Sequence, residues 1–382
     1  MPNRQFVPSS TSMRQFVQGV AFLWSIHAGY LGPRLASGAY TASLEEFAPQ
    51  KEDGRTNRWC TVDQLLPLRN NPGLSPEWSS EHVVDPPYGC DCPFLKARYF
   101  CPNLGPGGYP KWIPQAVANG ECEAMTRAEM GENVPLPPGF KVLFYGNSHM
   151  RQTVESIMCL FGDKVAAKRI SQQTRTPGTK YQVLVDGQAQ CRNCRDQKRD
   201  MLDHGCINEV HEACSCDDDY SEYFFENGAV VHYYYPDDYF DKTRGNKSVT
   251  TALGVHGNVT FGYYDVVFAN AANPPHMPMS SALDVAFKLR AERVQFLWLS
   301  TYDGTGSLDR EAFADEESKA RFAESGAHFV SIDSMARGLK NLTKGAVEGI
   351  KDTHFCLPGP PAEMGILLLK LAWAVYHHKE GG

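Results

Sequence analysis

Lys141-Val142-Leu143-Phe144-Tyr145-Gly146-Asn147-Ser148-His149-Met150-Arg151-Gln152 decides the reading of this chain. Four apolar or aromatic residues after Lys141 mark a buried strand. Gly146 breaks the run, and Val154, Ile157, Met158 and Phe161 then recur at helical spacing. Ser148 therefore falls on the turn between a buried strand and a helix. Two readings are open for it. It caps the helix, as serines often do. Or it is a nucleophile, exposed by the turn, with its own N–H at the positive end of the helix dipole, where developing negative charge would sit.

The second reading gains weight at the other end of the chain. Asp352-Thr353-His354-Phe355-Cys356-Leu357-Pro358-Gly359 is a polar, turn-rich segment just before the last helical pattern. It supplies a histidine beside a carboxylate, the oriented base that a serine nucleophile requires.

Around these two segments the chain reads as an α/β protein. Strands are expected at 141–145, 181–185, 229–235, 265–269, 294–300 and 328–332, and helices at 148–161, 281–291, 309–325 and 362–378. Asp265–Ala269 and Val294–Leu299 are apolar enough for interior parallel strands. The alternation predicts a doubly wound, mainly parallel sheet with ligand sites at the carboxyl ends of its strands. Ser148 and Asn270–Asn273 each follow such a strand. The last helix is apolar almost throughout, but Lys370 and its length fit a buried core helix better than a membrane span.

Before Lys141 the composition differs. Residues 60–140 are rich in proline and glycine and hold Cys60, Cys90, Cys92, Cys101 and Cys122. They read as a loop-rich region stapled by disulfides, with one weak helical pattern at 116–130 that Gly120 interrupts. A second cysteine-rich stretch, 187–222, carries Cys191, Cys194, Cys206, Cys214 and Cys216. Its C-x-x-C and C-x-C spacings are compatible with zinc, but the compartment favours disulfides. The chain has 12 cysteines and three sequons, beginning at Asn246, Asn258 and Asn341, which together point to an oxidising secretory environment. Met13-Arg14 precedes an apolar stretch from Val17 to Ile26, followed by small residues at 36–39. Residues 1–39 are expected to be a signal peptide, with a signal anchor in the membrane as the alternative. Hydrophobic residues make up 42% of the 382 and charged residues 21%, an ordinary globular balance. A net charge of -7 gives no reason to expect nucleic acid as a partner. Nucleotide-loop, zinc-protease, calcium-loop and G-x-S-x-G patterns are absent.

Gly146-Asn147-Ser148-His149-Met150-Arg151 resembles the G-D-S-x-x-R block of the SGNH/GDSL hydrolases, in the form used by the PC-esterase and trichome-birefringence-like families. Asp352 to Gly359 resembles their D-C-x-H-W-C-L-P-G block. Tyr264 to Asn270 resembles the D-x-L-V-F-N-T-G-H strand, Val231 to Pro236 the S-F-Y-W-S-P stretch, and Pro87 to Pro114 the cysteine-rich region of the plant members. The resemblance runs from about residue 60 to the end, and is specific in the two terminal motifs.

It implies a three-layer α/β/α sandwich of the SGNH-hydrolase type, preceded at 60–140 by the cysteine-rich region, with the catalytic domain at 141–382. It implies O-acetyl transfer or ester hydrolysis on polysaccharides in the Golgi lumen or outside the cell. The partners expected are a glycan and an acyl donor, with no metal or organic cofactor. Ser148 becomes the nucleophile and His354 the base. The oxyanion hole would take the Ser148 N–H and an asparagine amide, Asn273 or Asn270. Gly146, His149 and Arg151 become supporting residues, Arg151 by bracing the turn and His149 by shaping the pocket. The family's triad acid lies three residues before the histidine, where this chain has Lys351. Asp352, two residues before, takes the role, or the enzyme works as a dyad. Tyr233, Tyr234, Tyr235, Tyr239 and Trp298 are either a sugar platform or packing. Three functions remain open: acyl transfer to a glycan, secreted deacetylation, and glycan binding without catalysis.

Overall fold

The computed structural model describes residues 59–68, 77–84, 88, 92, 94–95, 99–101, 108–172, 182–185, 220–234, 261–270, 279–300 and 316–380. All of them belong to one compact unit, Asn57–Gly382. The N-terminal 1–39, most of the 187–222 segment, Asn246 and Asn258 lie outside the described residues.

Ten strands are present among the described residues: β1 Trp78–Val83, β2 Tyr109–Trp112, β3 Lys141–Tyr145, β4 Val165–Gln172, β5 Gln182–Val185, β6 Tyr220–Phe225, β7 Val230–Tyr234, β8 Val266–Asn270, β9 Gln295–Leu299 and β10 His328–Val330. The first two pair as an antiparallel ribbon. The other eight form one sheet in the order β10-β9-β8-β3-β7-β6-β4-β5. Four described helices of ten residues or more accompany them: α1 Ser148–Leu160, α2 Met279–Ala291, α3 Glu316–Ser325 and α4 Pro360–Glu380.

This is an α/β fold with a mixed sheet. From β10 to β7 every pairing is parallel, but β7·β6, β6·β4 and β4·β5 are antiparallel. The expected parallel sheet thus extends over five strands and gives way to an antiparallel half. The cause is local: β6 and β7 are joined by a tight turn through Asn227 and Gly228, whose φ of 80° suits glycine. β4 and β6 carry no strong apolar run, so periodicity alone does not mark them. The weak pattern at 116–130 resolves into two short helices, Gln115–Ala118 and Arg127–Glu132, separated by Gly120 at φ 69°.

Alternation along the central strand feeds two cores. Val142 and Phe144 face a core shared with α1 and α4, through Val154, Ile157, Met364 and Leu368. Leu143 and Tyr145 face the opposite core with Leu283, Ala286 and Leu289 of α2 and Phe322 of α3. Buried Leu, Ile and Phe side chains each contribute about 1.5–3 kcal/mol relative to exposure, so these two clusters hold the sheet between its helices. α4 is buried from Pro360 to Val375 except at Lys370 and Trp373, and among the described residues no helix is long and apolar enough to cross a membrane.

Residues 59–140 are fastened to this core. Glu363 near the start of α4 is 4% exposed and accepts from Arg127 Nη1 at 2.8 Å and from the N–H of Trp112 at 3.2 Å. A buried carboxylate of this kind needs such partners. Three disulfides are formed among the described residues: Cys60–Cys122, Cys92–Cys159 and Cys101–Cys356. The second reaches α1 and the third reaches the segment of His354. They fit an oxidising compartment.

Candidate active site

β3 lies in the middle of the sheet, between β7 and β8, and its carboxyl end delivers Gly146-Asn147-Ser148 into the crevice. The turn is built for close approach. The Gly146 N–H donates to the Tyr234 carbonyl at 3.1 Å, and a Cβ on Gly146 would collide with Oδ1 of Asn270. Only glycine fits there.

Asn147, not Ser148, is the N-cap of α1. Its Oδ1 accepts the His149 N–H at 3.1 Å. The capping reading of Ser148 is thereby corrected. Ser148 is the first helical residue, and its N–H belongs to the first-turn amides that have no partner within the helix. Asn270, at the end of β8, accepts the Asn147 N–H at 3.2 Å and donates to Asn147 Oδ1 at 3.4 Å. It pins the turn from behind. Asn273 lies outside the described residues.

Tyr233 and Arg151 complete the brace. The Tyr233 hydroxyl reaches the carbonyls of Gly146 and Asn147, 3.3 Å from each, and accepts from Arg151 Nε at 3.3 Å. Arg151 is buried and supports the turn through Tyr233, as expected of a bracing residue. Tyr233 is 2% exposed and Trp298 0%, so neither offers a face to a sugar. Their place in an aromatic platform is corrected: inward-facing positions on central strands are core positions. Tyr234 stacks on Tyr145, and Tyr235 and Tyr239 lie outside the described residues.

His354 arrives from the far end of the chain. Its Nε2 lies 2.7 Å from Ser148 Oγ, and its Nδ1 lies 2.6 Å from Asp352 Oδ1. The same Asp352 oxygen accepts the His354 backbone N–H at 2.9 Å. This is an Asx turn: the carboxylate folds back over the residue two positions on. The turn lets a carboxylate two residues before the histidine reach its ring. Lys351, three residues before His354, is exposed. The loop is held by backbone contacts. Lys344 N–H donates to the His354 carbonyl at 2.7 Å and Gly345 N–H to the Asp352 carbonyl at 3.0 Å. A side chain at Gly345 would strike that Asp352 carbonyl. Gln152 Nε2, one helical turn beyond Ser148, donates to the Phe355 carbonyl at 2.7 Å and ties the serine helix to the histidine loop. No sequence signal marks Gln152.

The electrostatics suit proton transfer. Burial pushes the Asp352 carboxyl up, but the hydrogen bonds from the His354 ring and N–H, together with the electrostatic pull of His354 and Lys344, outweigh it, and its pKa falls to about 2. An ionised Asp352 accepts from Nδ1–H, so Nε2 is left to accept from the Ser148 hydroxyl. His149 is 4% exposed, and burial, reinforced by the nearby His354, lowers its pKa to about 3. It is neutral at any physiological pH and is not poised to act as a base. Among the described residues no group of side chains could hold a metal ion.

Ser148, His354 and Asp352 thus meet in one hydrogen-bonded relay, and Gly146, Asn270, Arg151 and His149 lie immediately around it. Such a relay can activate a hydroxyl for attack on an acyl carbon and return the proton to a leaving group. Compared with known proteins, the chain matches no protein-family model, no curated protein and no solved structure.

Proposed function

We propose that this chain is a serine-dependent acyltransferase of the SGNH/GDSL type that moves an acyl group, acetyl by resemblance, to or from hydroxyls of a glycan through an acyl-serine. The observation that carries the reading is the relay from Ser148 Oγ through the His354 ring to Asp352, with contacts of 2.7 and 2.6 Å. It favours a catalytic reading over a glycan-binding protein that lost its acid at Lys351.

Ser148 Oγ gives its proton to His354 Nε2 and attacks the acyl carbonyl. Asp352 stabilises the imidazolium. The oxyanion takes the Ser148 N–H at the positive end of α1, a position worth several kcal/mol when the donors are pre-arranged. Asn273 is the amide donor on the strength of the resemblance, since Asn270 is turned on Asn147. The imidazolium protonates the leaving group. His354 then takes a proton from the incoming sugar hydroxyl, which attacks the acyl-serine and frees Ser148. Water in the place of the sugar gives the second reading, a secreted acetylesterase. Transfer is preferred because the cysteine-rich 60–140 region resembles that of the transferase-like members. The three disulfides support action in the secretory pathway, in the Golgi lumen or outside the cell.

The test is labelling of the purified full chain by a fluorophosphonate, beside Ser148→Ala and His354→Ala. Labelling that maps to Ser148 and is lost in both variants supports the reading. A folded wild type that does not label sinks it. With p-nitrophenyl acetate as donor and an oligosaccharide as acceptor, acetylated sugar means transfer and acetate alone means hydrolysis.

A further inference from the structure

Two rings pack on the imidazole of His354. The His149 ring lies 4.6 Å away, centroid to centroid, with 26° between planes. The Tyr99 ring lies 4.9 Å away at 40°. Neither is a surface residue: His149 is 4% exposed and Tyr99 1%.

Both rings are mounted on rigid supports. His149 sits in the first turn of α1, where its N–H donates to Asn147 Oδ1 at 3.1 Å and its carbonyl accepts from the Thr153 hydroxyl at 3.2 Å. Tyr99 belongs to the N-terminal region. Its carbonyl accepts the Leu357 N–H at 2.8 Å, Phe100 bridges Leu357, and Cys101 is bonded to Cys356. The segment that bears Tyr99 is therefore fastened within three residues of His354.

We propose that His149 and Tyr99 are positioning residues for His354, their rings clamping the imidazole so that Nε2 stays on Ser148 and Nδ1 stays on Asp352. The inference rests on the serine-nucleophile reading above and adds two residues that the hydrogen-bonded relay does not contain. The need for a clamp follows from the reaction. His354 must accept a proton from Ser148 and deliver it to a leaving group without swinging out, and its ring is held by one side-chain hydrogen bond at each nitrogen. A ring that turns about its side-chain bonds keeps neither. Misplacement by about 1 Å costs on the order of 10²-fold in rate. The clamp also has to accept the imidazolium. The π face of Tyr99 is favourable to a cation. His149 meets the same demand by staying neutral, because burial opposes its protonation. A flat neutral ring is what the position requires, whereas a second charged group there would repel the intermediate.

The experiment measures fluorophosphonate labelling of the full-length protein over a range of probe concentrations, separating the limiting rate from the half-saturating concentration. His149→Ala and Tyr99→Ala are expected to lower the limiting rate about 10²-fold with the half-saturating concentration unchanged. His149→Phe and Tyr99→Phe, which keep a neutral flat ring, are expected to recover the wild-type rate to within a few-fold. His149→Leu fills the space without a ring, with a thermal melt to check that it is folded; it is expected to stay as slow as His149→Ala. Alanine and leucine variants that label at the wild-type rate would overturn the clamp. So would phenylalanine variants as slow as the alanine ones, since the polar atoms rather than the rings would then matter. A wild type that fails to label removes the nucleophile itself, whereas a labelled wild type with unaffected variants counts against the clamp alone.

Discussion

Asp352→Asn isolates the role of the acid without dismantling its loop. The substituted amide keeps an Oδ1 that can accept the His354 N–H, which lies 2.9 Å from the carboxylate in the native chain, and in that orientation the Asx turn survives. What changes is the 2.6 Å contact with His354 Nδ1. Opposite charges on the order of 4 Å apart at an effective dielectric constant of about 20 attract by roughly 4 kcal/mol. Losing that attraction when His354 protonates costs about 10³ in rate. The amide has a second orientation: because one Asp352 oxygen makes both contacts, an amide turned to donate its N–H₂ to Nδ1 gives up the Asx turn and leaves the proton on Nε2, which then faces Ser148 Oγ as a donor. That wrong tautomer brings the expected loss to about 10⁴. The assay is the fluorophosphonate labelling rate at neutral pH, with a thermal melt to show that the variant is folded. Raising the pH to about 9 should restore little, because the defect is where the proton sits rather than how many there are. A folded Asp352→Asn protein that labels within about threefold of wild type would refute the assignment of Asp352 and leave Ser148 and His354 as a dyad.

Stability should follow the same carboxylate. Asp352 is depressed from 3.8 to about 2 on folding, so its stabilising contribution is complete above its unfolded pKa and disappears as the pH falls through the folded one. The gap in urea midpoint between wild type and Asp352→Asn should therefore close on acidification toward pH ~2; a gap that widens there contradicts the linkage. Gly146→Ala drives a methyl into Asn270 Oδ1 and is expected to destabilise by about 1–3 kcal/mol in denaturant titrations, with slower labelling of the folded fraction. Asn147→Ala removes the cap of α1 and should cost about 1 kcal/mol by the same measure; an unchanged midpoint would mean the cap is not needed. Breaking Cys101–Cys356, which closes a separation of 255 residues, should cost about 2–4 kcal/mol and also slow labelling. Breaking Cys60–Cys122 should lower stability but leave the labelling rate of the folded protein unchanged; equal slowing in both would break the link to His354.

The fold is legible where one chemical demand dominates. β3, β8 and β9 are buried on both faces, and their apolar runs say so. β4 and β6 belong to the antiparallel half, where mixed composition leaves no period to read and the tight turn at Gly228 is the main clue. Ser148 and His354 are legible because their flanks are. Asp352 is legible in identity but not in direction, since an Asx turn is a three-dimensional closure of one side chain on a nearby N–H. Asn147 draws no notice in the sequence and proves to cap the helix and engage Asn270. Tyr233 and Trp298 carry a surface alternative that their burial removes. Tyr99 has no local signal at all. Its position depends on which cysteines pair, and pairing is set by the fold rather than by spacing.

The Cys101–Cys356 bond also orders events in time. Cys101 is made before its partner, which lies 255 residues further on and just past His354. Domains begin to form while their C-terminal parts are still being made. A nascent chain can thus hold a finished Gly146-Asn147-Ser148 turn with no base beside it. Ser148 meets His354 only after the segment that follows residue 350 has been made, and the same closure secures Tyr99. On the proposed reading, a chain that stops short of His354 holds the Ser148 hydroxyl without its base, and closure of Cys101–Cys356 fixes the segment that supplies that base.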